Sequence, residues 1–530
     1  MLSQILGAAG VAALGTGLVL LTRDKACVTA VPTRDLYRRT NTGRVQADTD
    51  RLWYSVEALR ASTPDLSADQ TLAPGQKQAL LGAATVFVAL VILAPNPTMV
   101  VVVGGIILLY FASLAVRLLL FVKSLNGRGT VHVTERSARS VPDGALPSYS
   151  VLVPAYGEPE VLHHLVENLR ALDYPRDRLE IILLLEEDDE PTVQAARDLL
   201  AGSTDITTVL VPAGGPRTKP KALNYGLATS TGQVITIFDA EDRPEPLQLR
   251  KAALALAAAP PEVACVQARL DFFNPTQNML TRWFTLDYRM WFTQLLPGLS
   301  QLGAPIPLGG TSNHFRREVL LEVGAWDALN VTEDADLGIR LARAGYRTGV
   351  VDSTTYEEAN SDLVNWVKQR SRWYKGYAQT ALVHLRHPIE LARALGARPA
   401  LLFFLFVAGT PLLAILNPVF WLVTIVWFIW HPHVIIEVIP TFTYFVGQLC
   451  WLAGNLLVLY SWMLSTRNPK EKLWVAAILS PLYWIMMSAA AVKALVQLFT
   501  APSYWEKTQH GLDGQPASTT SASTKGEAVA

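Results

Sequence analysis

Gln233-Val-Ile-Thr-Ile-Phe238-Asp239-Ala240-Glu241-Asp242 reads as a buried strand closed by a run of acids. β-Branched and aromatic side chains dominate its first part and suit a pleated, enclosed surface. Asp239 and Glu241 stand two apart where the chain leaves the sheet, so both carboxylates can turn toward one ion. Hard divalent cations such as Mg2+ or Mn2+ take carboxylate and phosphate oxygens together. One acidic strand end is ordinarily a solvated turn, so the neighbouring strands decide the reading.

Upstream, Ser150-Val-Leu-Val-Pro154 and Glu180-Ile-Ile-Leu-Leu-Leu185 are short apolar runs, and Thr207 to Val211 is a third. Amphipathic or capped segments lie between them: Glu158 to Ala171, a helix beginning near Pro191, and Lys219 to Ser230. Strands alternating with helices of this length predict an α/β layer around a mostly parallel sheet. Ligands of such sheets sit beyond the C-terminal strand ends. There the chain places Glu186, Glu187, Asp188 and Asp189 after the second strand, and Asp239, Glu241 and Asp242 after the fourth. Thr332-Glu333-Asp334 adds a third acidic group in a loop entering a helix over 335–344, where Asp334 also reads as an N-cap. No strand is followed by GxGxxG and no GxxxxGK[ST] exists, which disfavours a dinucleotide cofactor and a P-loop.

Around this segment the composition is that of a membrane protein. Half of the 530 residues are hydrophobic and 17% are charged, whereas an ordinary soluble domain is about a quarter charged. Forty-five basic residues cancel forty-five acidic ones, leaving no electrostatic footprint for nucleic acid. Cys27, Cys265 and Cys450 are too scattered for a disulfide scaffold or zinc ribbon. Runs near the roughly 20 residues a spanning helix needs occur at Ile5 to Leu21, Ala79 to Ala94, Met99 to Val122, Thr441 to Leu464 and Leu473 to Phe499. Ala400 to Leu416 and Val419 to Trp430 flank Asn417-Pro418 and are expected to form a tight helical hairpin. Arginines between 23 and 77 put that stretch, and with it the insert, in the cytoplasm. Seven spans return the C-terminus to that side, but they leave the basic loop of Arg467, Lys470 and Lys472 outside, against the same rule.

Six ordered motifs over about 150–375 resemble the membrane-integrated glycosyltransferases of family 2, the group of cellulose, chitin and hyaluronan synthases. They are Val153-Pro-Ala-Tyr-Gly-Glu158, Lys219-Pro-Lys221-Ala-Leu-Asn224, Asp239-Ala-Glu241-Asp242, Gly309-Gly-Thr-Ser-Asn313, Thr332-Glu333-Asp334 and Gln369-Arg-Ser-Arg372-Trp373. The resemblance implies a GT-A-like (Rossmann-like) cytoplasmic domain inserted between N- and C-terminal transmembrane α-helices. The expected parts are an anchor over 1–22, a basic cytoplasmic segment over 23–78, a transmembrane hairpin over 79–122 and the catalytic domain with interfacial helices over 123–399. Transmembrane helices over 400–499 follow, then a cytoplasmic segment with a disordered tail over 500–530.

Residue by residue, the resemblance implies that Glu187 and Asp188 meet the nucleotide, with Lys221 by the donor diphosphate and Asp239 shared between nucleotide and metal. Glu241 replaces the usual second metal-binding Asp, Asp334 is the general base, and Gln369, Arg372 and Trp373 bind the acceptor. A UDP- or GDP-linked donor, Mg2+ or Mn2+, a glycan or lipid-linked acceptor and a multi-pass place in the plasma membrane go with it. The implied reaction is processive and inverting, exporting a β-linked polysaccharide. A single-sugar transferase acting on a lipid or short glycan is the alternative. Met279 to Leu296 and the Gln369 to Trp373 segment are expected at the membrane interface, Lys493 is expected to snorkel, and Trp505 to Gly511 resembles a gating segment.

Overall fold

The computed structural model describes residues 44–431, 441–466 and 471–506. The expected anchor over Ile5 to Leu21, Arg467, Lys470 and the tail after 506 lie outside the described residues.

Eight strands form one sheet: β1 (Tyr149–Ala155), β2 (Leu179–Glu186), β3 (Thr207–Val211), β4 (Val234–Ile237), β5 (Arg243–Pro244), β6 (Val263–Phe272), β7 (Asn313–Arg316) and β8 (Arg347–Glu357). Their order is β3-β2-β1-β4-β7-β6-β8-β5. The first four pair in parallel, as expected from the alternating pattern. The sheet as a whole is mixed, because β7 runs antiparallel to both β4 and β6.

The apolar strands are continuous because both faces are covered. Side chains alternate between two cores with the period of two a strand imposes. Val151, Val153, Ile181, Leu183 and Leu185 pack beneath helices Leu162–Arg170, Glu190–Leu199 and Gln248–Ala258. Leu152, Ile182, Leu184, Ile235 and Ile237 face a second core that also holds Trp462, Ala476, Tyr483 and Ala490 of the C-terminal helices. Truncating a buried leucine such as Leu152 or Leu184 to alanine costs about 2–5 kcal/mol. The shared core binds the sheet domain to the apolar helices as one packed body.

Five helices are long and apolar enough to cross a membrane: Pro74–Leu93, Pro95–Ser124, Ala397–Trp430, Tyr444–Leu464 and Ser480–Thr500. The first two meet at Ala94, as the proline pair suggests. The hairpin expected between Ala400 and Trp430 is absent. Pro418 sits inside a continuous helix, and Asn417 Oδ1 accepts a hydrogen bond from Tyr110 Oη at 2.8 Å, so the pair serves packing rather than a turn.

The chain over 471–476 packs against the sheet domain. Glu471 there pairs with Arg289 at 2.7 Å, and Trp283 Nε1 donates to Ala476 O at 2.9 Å. The interfacial reading of Met279 to Leu296 is corrected as well. Trp283, Phe284 and Phe292 are buried in the core between sheet and apolar helices. Trp366 and Tyr374 are likewise covered by helix Ser480–Thr500, through Tyr483 and Met487.

Candidate active site

The strand ends converge on a cavity of about 670 Å³. After β1 come Tyr156 and Glu158, β2 ends in Glu186, Asp239 and Glu241 follow β4, Glu357 ends β8, and Gly309 to Thr311 lead into β7. Helix Glu333–Arg343 brings Glu333 and Asp334 to the same wall in its first turn, with Thr332 as its N-cap residue. Helix Leu363–His384 adds Gln369, Arg372 and Trp373, which share one face at spacings of three and four. The cavity continues between the apolar helices, past Tyr110, Ser113, Arg117, Thr410, Asn417, Trp451, Asn455, Trp462 and Trp484.

Asp239, Glu241 and Asp334 therefore share one chamber. A Cβ built on Gly310 would stand 3.5 Å from Asp334 Oδ2, 3.7 Å from Lys219 Nζ and 4.0 Å from Asp239 Oδ2. Glycine keeps that space clear. Gly376 does the same one helix away, since any Cβ there would overlap Thr332. The helix bearing Gln369 to Trp373 thus packs directly on the residue that precedes Glu333 and Asp334.

Lys219, rather than Lys221, is the lysine on the cavity wall. Its Nζ donates to Asp239 Oδ1 and, at 2.8 Å, to Gly310 O. Lys221 is fully buried behind the wall, where Nζ donates to Glu186 Oε2 at 2.8 Å and to the carbonyls of Gly214 and Pro212. Two residues on a helix point about 200° apart, so only one of the pair can face the chamber. Glu187 and Asp188 lie on the exposed rim, off the lining. Glu187 accepts from Ala213 N at 3.2 Å, and Asp188 pairs at 2.5 Å with Arg217, which does line the cavity.

Trp373 lies near-parallel to Tyr288 with ring centroids 6.0 Å apart. The Arg370 guanidinium sits 4.7 Å from its ring centroid and pairs with Asp287 at 2.8 Å. Gln369 Oε1 accepts from Asn360 Nδ2 at 2.9 Å. Arg372 extends over Trp505, 4.5 Å from the ring centroid, with a buried Nε that no protein group accepts from among the described residues. Lys493 is held by Glu506, six residues beyond the end of its helix, at 2.7 Å.

Negative charge predominates at the sheet end. Burial, with Asp239 and Glu241 adding repulsion, raises Asp242 well above the usual carboxylate range, and Glu357 is raised by burial and the same acids with Asp242. Burial pushes the Asp334 carboxyl up too, against the pull of the Ala335 N–H, Lys219 and Arg372. Lys219 is held in its charged form by Asp239, Glu333 and Asp334 despite its burial. An enclosed oxygen-only surplus of this kind suits a hard divalent cation. Asp239 and Glu241 would supply two ligands, leaving other positions for water and phosphate. Among the described residues only His163, His164 and Glu167, on the exposed face of helix Leu162–Arg170, bring three His, Cys or carboxylate ligand atoms within 4.8 Å of one another.

A mixed α/β sheet with acids on the edge beside its parallel strand ends makes a site that suits a divalent cation and an anionic ligand. The family model described as "Glycosyltransferase like family 2" matches residues 147–376, the stretch that holds the sheet and the acids at its strand ends. The chain is 28% identical over 250 residues to a probable glycosyltransferase, YdaM, of Bacillus subtilis (strain 168), covering 47% of this chain and 59% of that protein. It is 28% identical over 243 residues to a beta-monoglucosyldiacylglycerol synthase of Synechocystis sp., covering 45% and 50%. It is 29% identical over 242 residues to a probable glucomannan 4-beta-mannosyltransferase 3 of Oryza sativa subsp. japonica, covering 44% of each. The chain spans about half the length of the curated relatives it matches. Among solved structures, the mannosyltransferase PcManGT of Pyrobaculum calidifontis, in complex with GDP-Man and Mn2+, is 19% identical with a TM-score of 0.43, covering 74% of this chain and 99% of that one.

Proposed function

We propose that the protein transfers a sugar, with inversion, from a UDP- or GDP-linked donor to a growing β-linked glycan, and that the glycan leaves along the cavity between the apolar helices. One observation carries this reading: a single cavity joins Asp239, Glu241 and Asp334 to Gln369, Arg372 and Trp373, and then to amide, hydroxyl and indole groups of the apolar helices. Indole faces and amides are the groups that hold sugar rings and their hydroxyls in an otherwise apolar wall.

Asp239 and Glu241 would hold Mg2+ or Mn2+, which would offset charge on the donor diphosphate. Lys219, and Arg217 at the rim, add positive charge on the same side. Asp334 accepts the proton of the incoming hydroxyl as that oxygen attacks the anomeric carbon and the diphosphate leaves. A single displacement inverts the anomeric configuration. Burial suits Asp334 to this work, because a raised pKa makes a carboxylate a stronger base. Gln369, Arg372 and Trp373 hold the acceptor sugar facing Asp334. In this reading the catalytic domain faces the cytoplasm, where the donor is made, and the apolar helices span the plasma membrane.

Leu413, Ala414, Leu457 and Val458 also line the cavity, and these apolar patches favour a second reading, addition of one sugar to a lipid. Incubating purified protein with radiolabelled UDP- and GDP-sugars in turn, then sizing the product, separates the two. A polymer is expected, and a single-sugar lipid adduct alone would overturn the processive reading.

A further inference from the structure

We propose that the segment from Leu52 to Gln76, outside the residues matched by the family model, is a strap that positions the donor side of the active site, with Leu52 and Val56 as its positioning residues. The inference rests on the donor assignment made above for Arg217 and Lys219.

The loop Pro212 to Thr218 joins β3 to helix Lys219–Thr229, and with the first residue of that helix it puts Arg217, Thr218 and Lys219 on the cavity wall. It is held from below by Lys221, which donates to the carbonyls of Pro212 and Gly214. From above it meets helix Arg44–Ser62. A Cβ on Gly214 would lie 3.3 Å from Leu52 Cδ2, and one on Gly215 would lie 3.1 Å from Val56 Cγ2. Gly215 also has φ +68°, which a β-carbon disfavours. The glycines let the two apolar side chains close on the loop backbone. Next to this contact, Asn224 Nδ2 donates to Ser55 O at 2.9 Å.

The strap then runs to the other functional elements. Ala68 N donates to Asp327 Oδ2 at 2.6 Å, five residues before Thr332. Arg386 donates to the carbonyls of Pro64, Asp65 and Gln70, and Gln76 Nε2 donates to Leu382 O at 2.8 Å, just beyond the helix face that bears Gln369 to Trp373. Gln76 lies in the first turn of the apolar helix Pro74–Leu93. One short stretch thus ties the donor loop, the base-bearing loop and the acceptor helix to a candidate membrane span. A glycine-containing loop that needs two outside side chains to define it loses donor affinity when they are removed, while the chemistry after binding continues.

The test uses the full chain in lipid nanodiscs with Val56→Ser, Leu52→Ala and the conservative Val56→Ile. Val56→Ser is expected to raise the donor KM about 5–10-fold and to weaken nucleoside diphosphate binding by the same factor, with kcat within about twofold; a tenfold affinity change corresponds to 1.4 kcal/mol. Leu52→Ala follows in the same direction, and Val56→Ile restores the wild-type KM. Hydrogen exchange over 212–218 should quicken in Val56→Ser while β1 and β2 stay protected, which separates a loosened loop from an unfolded domain. An unchanged donor KM together with unchanged exchange over 212–218 would overturn the strap. Failure of the wild-type protein to bind any nucleoside diphosphate would instead overturn the donor assignment.

Discussion

The two ends of the cavity are built from opposite materials. At the sheet end seven carboxyl groups, those of Glu158, Glu186, Asp239, Glu241, Glu333, Asp334 and Glu357, stand against the cations Arg217, Lys219 and Arg372. At the helix end the lining is indole, amide, hydroxyl and aliphatic, and Arg117, 5.7 Å from the Phe406 ring centroid, makes no hydrogen bond or ion pair among the described residues. Between them lies the Arg370–Asp287 pair, already neutral. Charge is concentrated where a diphosphate must be released, because electrostatic stabilisation is strongest in a site shielded from water. Neutral groups fill the region where a product must slide, since a tightly held ligand would not move on. On the proposed function, one end is built to change bonds and the other to pass a chain.

Removing the metal tests the sheet end most severely. Thorough chelation with EDTA is expected to abolish nucleoside diphosphate release, and added Mg2+ or Mn2+ to restore it; turnover that survives would strip Asp239 and Glu241 of that role. Asp334→Asn comes next, with kcat falling by about 10³-fold, within the range general bases supply, and nucleoside diphosphate affinity held within about twofold by calorimetry. Its pH profile follows from sign. Only ionised Asp334 takes a proton, and burial keeps the acid form to higher pH than usual. The wild-type kcat should therefore decline on acidification from a pH above the ordinary carboxylate value of about 4. The smallest effect belongs to the helix end. Trp451→Ala should leave the initial rate within about threefold while shortening the product on sizing columns. Unchanged product length would break the contrast between the two ends.

Much of the sheet end was legible because burial leaves a mark in composition. β1, β2 and β4 are enclosed on both faces and read as unbroken apolar runs, and the acids beyond β4 stand out against them. The loop side of the site was less legible. Glu186 rather than Glu187 or Asp188 faces the cavity because β2 runs one residue past its apolar run and ends in Glu186, whereas the next two acids lie in the turn beyond it. Lys219 and Lys221 differ only in which side of a first helical turn they take. Antiparallel β7 escaped because Asn313-His-Phe-Arg316 has no apolar pattern; its short strand is paired on both sides and needs none. The hairpin at Asn417-Pro418 was misread because proline breaks helices in water, whereas an apolar helix packed among neighbours tolerates it.

The close approach at Gly376 has a consequence for selectivity. A lone hydrogen atom there sets how near the helix carrying Gln369, Arg372 and Trp373 comes to Thr332 and, if these residues hold the acceptor as proposed, how deep a terminal sugar sits relative to the carboxylate two residues on. On that reading the same spacing helps select, alongside the motif side chains, which hydroxyl of the acceptor is glycosylated.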